Sequence, residues 1–325
     1  MWWTRAWDTE DMVSFSDIEA AAERIRPHVH RTPVMTSRLF NAASGVEAFF
    51  KCENLQRGGA FKLRGAANFL LSMGDDAVGN GVVAFSSGNH AQAVAIAAGI
   101  RGTRATLVMP TDAPQSKAEA TAAYGGRIVR FDRMKDDREA IGRRIAEETG
   151  ATLVPPFDHE WIIAGQGTAA KELLEETGEL DALAVCVGGG GLLAGSATAA
   201  KAMYPKMRVF GVEPAIANDW ALSFAAGKPV EITPPDTIAD GLRSPKPGKV
   251  TFAVVRPLVE DIVLVSEEEI VAAMRFLLMR MKILVEPSGA VAAAAVLFGK
   301  LPKGIGRVGV MVSGGNVDLE VVRGL

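Results

Sequence analysis

Short apolar runs alternating with helix-like stretches constrain this chain more than any other feature. Between Gly81 and about Pro155, segments 82–85, 105–109, 127–131 and 152–154 read as strands with helices between them. That alternation predicts βαβ units and a compact parallel α/β lobe. The pattern resumes from Ile163, with strands near 183–187, 208–212, 262–265 and 308–312. Before these, Ser16 with Glu19 three residues on predicts a capping box and a helix ending before Pro27, followed by a strand over 47–52. Ser266 with Glu269 predicts a second capping box and a helix through Met281. With 325 residues and 48% hydrophobic content, the chain can bury a large core in two lobes. There is no internal repeat or low-complexity tract.

The loops after these strands hold the residues suited to chemistry. Ser86-Ser87-Gly88-Asn89-His90 lies between an apolar run and an alanine-rich helix. Short polar side chains and backbone N–H groups there suit a carboxylate at a helix N-terminus, although a serine N-cap with turn residues leaves the same pattern. Gly188, Gly189, Gly190 and Gly191 follow another apolar run and precede a small-residue helix. Four glycines let backbone amides close on a phosphate, with the helix dipole adding attraction. The run lacks both the dinucleotide spacing and the Lys-Ser/Thr of a nucleotide loop, so one phosphate fits better than two or three. Ser313-Gly314-Gly315-Asn316 reads as a turn after the last strand. Lys62 lies at a loop-to-helix junction within Arg57-Gly58-Gly59-Ala60-Phe61-Lys62-Leu63-Arg64-Gly65. An aromatic and small residues around it predict lost solvation, which disfavours the ammonium form. A neutral lysine amine can form a Schiff base with a carbonyl.

Taken in order, these motifs resemble those of the fold-type II pyridoxal-phosphate enzymes, in the branch of threonine/serine dehydratases and serine racemases. The similarity runs from about Ser16 to Asp318, and Ile163-Ala164-Gly165-Gln166-Gly167-Thr168, Thr237-Ile238-Ala239-Asp240-Gly241 and Glu286-Pro287-Ser288-Gly289-Ala290 match the same branch. The resemblance implies an α/β fold of two open twisted lobes, with pyridoxal 5'-phosphate in the cleft between them. It implies a large domain from residues 1–70 and 156–325, and a small α/β domain from 71–155. By matching position, Lys62 would be the Schiff-base lysine, with Phe61 packed near the ring and Asn89 bonded to the cofactor's phenolic oxygen. Gly188 to Gly191 would cradle the phosphate, and Ser313 would face the pyridine nitrogen. Ser87 would be the hydroxyl across the cofactor from Lys62. The substrate carboxylate would lie on Ser86, Asn89 and His90, with Arg138 and Ser244 as further substrate contacts. Ala91 and Ala60 depart from the glycine and serine common in relatives, which bears on pocket shape.

Two carboxylates in Glu213-Pro214-Ala215-Ile216-Ala217-Asn218-Asp219, with the Ala217 carbonyl between them, suit a hard divalent cation. Racemase-like relatives carry a metal at this position, so the resemblance implies a structural Mg2+, or Ca2+ or Mn2+, on Glu213, Ala217 and Asp219. The same carboxylates also suit ordinary loop roles or a cap for the next helix. The balance of 35 basic against 38 acidic residues argues against a nucleic-acid partner. Cys52 and Cys186 read as buried free thiols, which points to a reducing compartment. No signal peptide or membrane span is evident, so a cytoplasmic, soluble protein is expected. A homodimer is expected as well. Trp2, Trp3 and Trp7 predict a segment that docks onto the body or a second subunit. The chain stops just past Asp318 without the family's regulatory extension, which implies a catabolic form.

The resemblance implies an L-threonine/L-serine dehydratase releasing a 2-oxo acid and ammonia from a small hydroxy amino acid. Serine racemase is an alternative, because Ser87 could reprotonate Cα from the opposite face. A β-hydroxyaspartate dehydratase is another; it needs a cation for the distal carboxylate, and the resemblance offers Arg138, where relatives carry an arginine near the substrate, although the same residue also reads as a solvated helix arginine. A β-replacement transferase shares the fold, but the Ser-Ser-Gly-Asn-His loop fits the dehydratase branch better. Retention of Lys62, Ser87, Asn89 and Ser313 together argues against a non-catalytic carrier.

Overall fold

The strands form two separate sheets whose chain order explains why the candidate loops meet. The computed structural model describes residues 13–325 apart from Ser87, Pro114, Arg133 and the Ser116 side chain. The assignments for Ser87 and for Trp2, Trp3 and Trp7 therefore lie outside the described residues. The strands are β1 (Val34–Thr36), β2 (Glu47–Cys52), β3 (Val82–Phe85), β4 (Ala105–Pro110) and β5 (Arg127–Phe131). They continue with β6 (Thr152–Leu153), β7 (Ala182–Cys186), β8 (Arg208–Pro214), β9 (Asp261–Val265) and β10 (Arg307–Val312). A six-stranded sheet runs β1-β2-β10-β7-β8-β9, and a four-stranded sheet runs β5-β4-β3-β6. All neighbours pair in parallel except β1 with β2. This mixed α/β architecture is the expected fold class. The short edge strand β1 is additional to the sequence expectation.

Central strands read as continuous apolar runs because both faces are covered by helices. Every residue of β7 is buried, and so are all but the first of β10. The helix Pro287–Leu297 begins with proline, whose missing N–H costs nothing at that position, and ten of its eleven residues are buried. A second core surrounds the four-stranded sheet and takes in Leu63, Ala66, Ala67 and Leu70 of the helix Lys62–Ser72. That helix is joined to the larger core by the helix Glu160–Thr177 through bare backbone contacts. A Cβ at Gly165 would lie 2.5 Å from the Arg64 carbonyl oxygen, and one at Gly195 would lie 2.3 Å from that of Ile163. Glycine is required at this seam.

Beneath the start of the helix Lys62–Ser72 lies a buried ionic cluster. The Arg64 guanidinium donates to both carboxylate oxygens of Glu53, at 2.7 and 2.8 Å, and to both of Glu172, also at 2.7 and 2.8 Å. Lys51 donates to Glu172 and to the Thr32 carbonyl, each at 2.7 Å. Removing one member of such a pair leaves an uncompensated buried charge, at a cost of about 3–5 kcal/mol. The cluster fixes the segment from which Lys62 projects.

Two boundaries correct the sequence expectations. The first helix is Phe15–Ile25, capped by Ser14 with Asp17 rather than by Ser16 with Glu19. Asp17 reaches back to the Ser14 N–H at 2.8 Å, and this register turns Ile18, Ala21 and Ile25 into the core. The box at Ser266 and Glu269 forms as expected, but the α-helix ends at Phe276 and continues as a π-helical turn over Leu277–Met281. No described helix is long and apolar enough to cross a membrane.

Candidate active site

Parallel strands deliver the candidate loops at their C-terminal ends, where open α/β sheets bind ligands. Ser86 follows β3, the glycine run follows β7, and Ser313 follows β10. The loop before Lys62 is drawn to the same place by backbone bonds. The Phe61 N–H donates to the Ser313 carbonyl at 3.0 Å, and the Gly315 N–H to that of Gly59 at 2.9 Å. Gly59 has a φ of 73°, and a Cβ there would lie 2.2 Å from Asn316 Oδ1, so glycine is needed twice over.

Lys62 opens its helix, and its Nζ donates to the Pro156 carbonyl at 2.9 Å and lies 5.1 Å from the Phe61 ring centroid. Burial pushes its pKa down to about 8. Cys186 and Glu286 are the neighbours that would oppose this shift. Burial holds the Cys186 thiol near 11, however, and a neutral thiol exerts no such pull at pH 7. Glu286 is therefore the relevant anion. About a tenth of Lys62 is then the neutral amine at pH 7.

Glu286 in turn belongs to a chain of side-chain amides. Asn89 Nδ2 donates to Glu286 Oε1 at 2.6 Å, and Asn316 Nδ2 donates to Asn89 Oδ1 at 2.9 Å and to the Gly58 carbonyl at 2.8 Å. Burial pushes the Glu286 carboxyl up to about 7, against the opposing effects of Lys117 and then Asn89. His90 is buried, and burial followed by the Lys62 charge pushes it down to about 3. Its Nε2 lies 3.2 Å from the Val154 carbonyl. A carbonyl only accepts, so Nε2 carries the proton of a neutral ring. Ser86 Oγ accepts from the Gly88 N–H at 3.2 Å. The Ser313 hydroxyl, also buried, donates to the Ser288 carbonyl at 3.4 Å.

The glycine run is held from several sides. Trp220 Nε1 donates to the Gly188 carbonyl, and Thr251 Oγ1 to that of Gly189 at 2.8 Å. Gly190 has a φ of 98°, and Gly191 begins the helix Gly191–Met203. A Cβ at Gly189 would lie 2.1 Å from the Phe157 ring, and one at Gly190 2.4 Å from Trp220. Asp158 accepts from the N–H groups of Lys249, Val250 and Thr251, which anchors Thr251 against the run.

Arg138 and Ser244 are not brought into this group. Arg138 begins the helix Arg138–Thr149, is exposed, and places its guanidinium 5.6 Å from the Phe85 ring centroid. Ser244 Oγ donates to the Lys246 carbonyl at 2.9 Å. A cavity of about 340 Å³ opens beside Glu286, Ser288 and Asn316, with Lys117, Asp240 and Arg243 also lining it. Glu286 and Asn316 were visible in sequence only as members of quoted motifs. Asp158 and Lys117 carried no local signal.

Glu213 departs from the expected loop position. The strand β8 runs on to Pro214 because Glu213 and Pro214 pair with Leu264 and Val265 of β9. The Glu213 carboxylate accepts from the N–H groups of Ala221 at 2.9 Å and Trp220 at 3.3 Å, a capping role for the helix Asp219–Ala226. Burial pushes Glu213 up to about 9 and Asp219 to about 7, and both Asp219 oxygens are buried without a hydrogen-bond partner. Among the described residues no three His, Cys, Asp or Glu side chains converge as a metal group. Two carboxylates with the Ala217 carbonyl and water would therefore make up the donor set, and the orphaned Asp219 oxygens fit an oxygen-liganded cation.

A family model for pyridoxal-phosphate dependent enzymes matches residues 25–314. The chain belongs to the fold-type II pyridoxal-phosphate enzymes. It is 50% identical to L-threo-3-hydroxyaspartate ammonia-lyase of Saccharomyces cerevisiae, with 94% of each chain covered. It is 49% identical to serine racemase of Schizosaccharomyces pombe, covering 94% of this chain and 95% of that one. The structure of maize serine racemase superposes with a TM-score of 0.93 at 45% identity, covering 96% of each chain. This is the ammonia-lyase and racemase branch of the family. The residues present fit the family's cofactor: an amine displaced toward neutrality lies near a run in which Gly189 and Gly190 have no room for a side chain and a helix begins.

Proposed function

We propose that the chain is an ammonia-lyase of small L-3-hydroxy amino acids, with L-serine and L-threonine as substrates and L-threo-3-hydroxyaspartate as the principal alternative. The observation that carries this reading is the Lys62 amine, held in the cleft with its pKa at about 8. Pyridoxal phosphate, when bound, supplies a carbonyl that captures the substrate amine and a ring that draws electrons from the bonds to Cα. Lys62 would hold it, Gly188 to Gly191 would take its phosphate at the helix start, and Ser313 would meet its ring nitrogen with an uncharged hydroxyl. Once the substrate amine has displaced it from the cofactor, the Lys62 amine would be the base for the Cα proton. Glu286 and Asn316 orient the Asn89 amide from two sides. Ser86, Asn89 and the start of the helix Asn89–Arg101 offer the carboxylate site, with His90 behind them as a neutral donor already committed to Val154. The net reaction balances: the β-hydroxyl leaves as water, and one water returns as the enamine becomes 2-oxo acid and ammonium.

The same reading assigns a structural Mg2+, Ca2+ or Mn2+ to Glu213, Ala217 and Asp219, and a cytoplasmic homodimer. It divides the chain at residues 70 and 155. Racemisation is the second reading, favoured by the likeness to two serine racemases. Ser87→Ala decides between them: loss of inversion with retained dehydration of L-serine marks Ser87 as the second base, and equal loss of both marks a positioning role. The site assignment is tested by borohydride reduction of the cofactor-loaded protein followed by peptide mass analysis. The adduct is expected on the Lys62 peptide, and an adduct elsewhere overturns it. Lys62→Ala should lower turnover at least about a thousandfold while keeping the fold.

A further inference from the structure

The glycine run offers its N–H groups because its carbonyls are taken elsewhere. Among the described residues, none of the N–H groups of Gly188, Gly189, Gly190 and Gly191 donates to a protein acceptor, although all but Gly189 are buried. Trp220 Nε1 holds the Gly188 carbonyl. The Gly189 carbonyl accepts from Thr251 Oγ1 at 2.8 Å and from the Gly248 N–H at 3.4 Å. In a trans peptide the C=O and the following N–H point in opposite directions. A fixed Gly189 carbonyl therefore turns the Gly190 N–H away from Thr251, and the held Gly188 carbonyl does the same for the Gly189 N–H.

Thr251 is itself held in place. It is buried and is the third residue of the helix Lys249–Leu258. Gly248, at the N-cap, has no side chain to close that helix, and Asp158 closes it from outside. Asp158 Oδ2 accepts from the Lys249 N–H at 3.0 Å, and Oδ1 from those of Val250 at 2.8 Å and Thr251 at 3.0 Å. A Cβ at Gly248 would lie 2.6 Å from Thr251 Oγ1, and one at Gly190 2.8 Å from it. The hydroxyl is thus wedged between two glycines, on a β-branched side chain that turns little about χ1. Asp158 follows Pro156, whose carbonyl binds Lys62, and Phe157, whose ring lies against Gly189. Three consecutive residues brace both the amine and the run.

We propose that Thr251, braced by Asp158, is a positioning residue that aims the Gly190 N–H at the phosphate of the cofactor. The inference deepens the lyase reading and rests on its assignment of the phosphate to the glycine run. Thr251 then acts on affinity for the phosphate alone, and leaves the parts of the cofactor met by Lys62 and Ser313 unaltered.

The test compares two ligands that differ in the phosphate, pyridoxal phosphate and pyridoxal, by equilibrium dialysis against the cofactor-stripped full chain. The parent should prefer pyridoxal phosphate. Thr251→Val keeps the shape and loses the hydroxyl, and there the preference should fall about 3- to 10-fold, the worth of one hydrogen bond. Pyridoxal should bind as it does to the parent, and Thr251→Ser should restore the preference. Inorganic phosphate should compete with pyridoxal phosphate less well in Thr251→Val than in the parent. Asp158→Ala, which frees the turn that carries Thr251, should give a smaller loss of the same kind, and it carries the comparison if Thr251→Val does not fold. Equal weakening of both ligands marks a merely structural role and overturns the proposal. So does a preference that Thr251→Val leaves unchanged or that Thr251→Ser fails to restore. A parent that binds the two ligands alike overturns the phosphate assignment, and the proposal with it.

Discussion

Two buried charged regions of this protein use the same residue types with opposite electrostatic outcomes. Around Arg64, burial alone would neutralise the groups, yet Glu53 and Glu172 raise the guanidinium pKa, and Arg64 and then Lys51 lower that of Glu53. Their partners overcome desolvation, so the charged forms persist. At the strand ends the balance reverses. Burial prevails at Lys62, Glu286, Glu213 and Asp219, and each is displaced toward its neutral form. Lys51 is the exception within the first region, since burial outweighs Glu172 there. The difference lies in how many opposite charges each group meets directly. Arg64 meets two carboxylates in bidentate geometry, whereas both Asp219 oxygens lack a partner and Lys62 has a single carbonyl. A satisfied buried charge braces the fold; an unsatisfied one is where a ligand gains most by binding.

The largest expected effect tests the satisfied region. Arg64→Leu should cost about 3–5 kcal/mol in urea unfolding, because Glu53 and Glu172 are left buried together. Arg31 and Glu175 form a pair of similar length, 2.9 Å, with Arg31 55% exposed. Arg31→Ala should cost no more than about 1 kcal/mol. Comparable losses in the two variants would break the distinction between buried and exposed pairing.

A somewhat smaller effect is expected from the orphaned carboxylates. If Glu213 and Asp219 hold a divalent cation, EDTA should lower both the melting temperature and the activity, and Mg2+, Mn2+ or Ca2+ should restore them. At about a hundredfold excess over Kd, restoration amounts to about 2.7 kcal/mol. Glu213→Ala should lose this response. A parent protein indifferent to EDTA would mean that the two carboxyls are simply held protonated. A Glu213→Ala variant that still responds would place the ion elsewhere.

The satisfied region was the less legible of the two in sequence. The strands and the loops after them announce themselves through local pattern, and 82–85 and 127–131 match β3 and β5 residue for residue. Arg64 and Glu172 are separated by 108 residues, and no local spacing encodes such a pair. Asp158 and Thr251 were hidden for the same reason. The first capping box failed differently. Ser14, Ser16, Asp17 and Glu19 offer two overlapping registers, and the burial of Ile18, Ala21 and Ile25 chooses between them. Only the packed core carries that information. The apolar run that marks this strand in the sequence ends at Val212, while pairing with β9 extends the strand through Glu213 and Pro214.

The smallest change between neighbouring measurements, about 1 kcal/mol per pH unit, concerns Glu286, where the unsatisfied region can be titrated directly in cofactor-free protein. Its folded pKa, about 7, lies above the ordinary carboxyl value of 4.5. Between those values the unfolded chain has released its proton while the folded protein retains it. At this group the native state then binds more protons, so its contribution to stability falls as pH rises. The contribution is full below about pH 4.5 and gone above about 7, with a slope near 1 kcal/mol per pH unit at its steepest. Glu286→Gln keeps an oxygen acceptor for Asn89 and cannot ionise, so it should flatten this part of the profile and leave the variant more stable than the parent at pH 8. Urea midpoints from pH 5 to 8 check it. A variant whose profile runs parallel to the parent's over this range would show that Asn89 and Lys117 hold Glu286 charged, and Glu286 would then belong with the satisfied charges around Arg64.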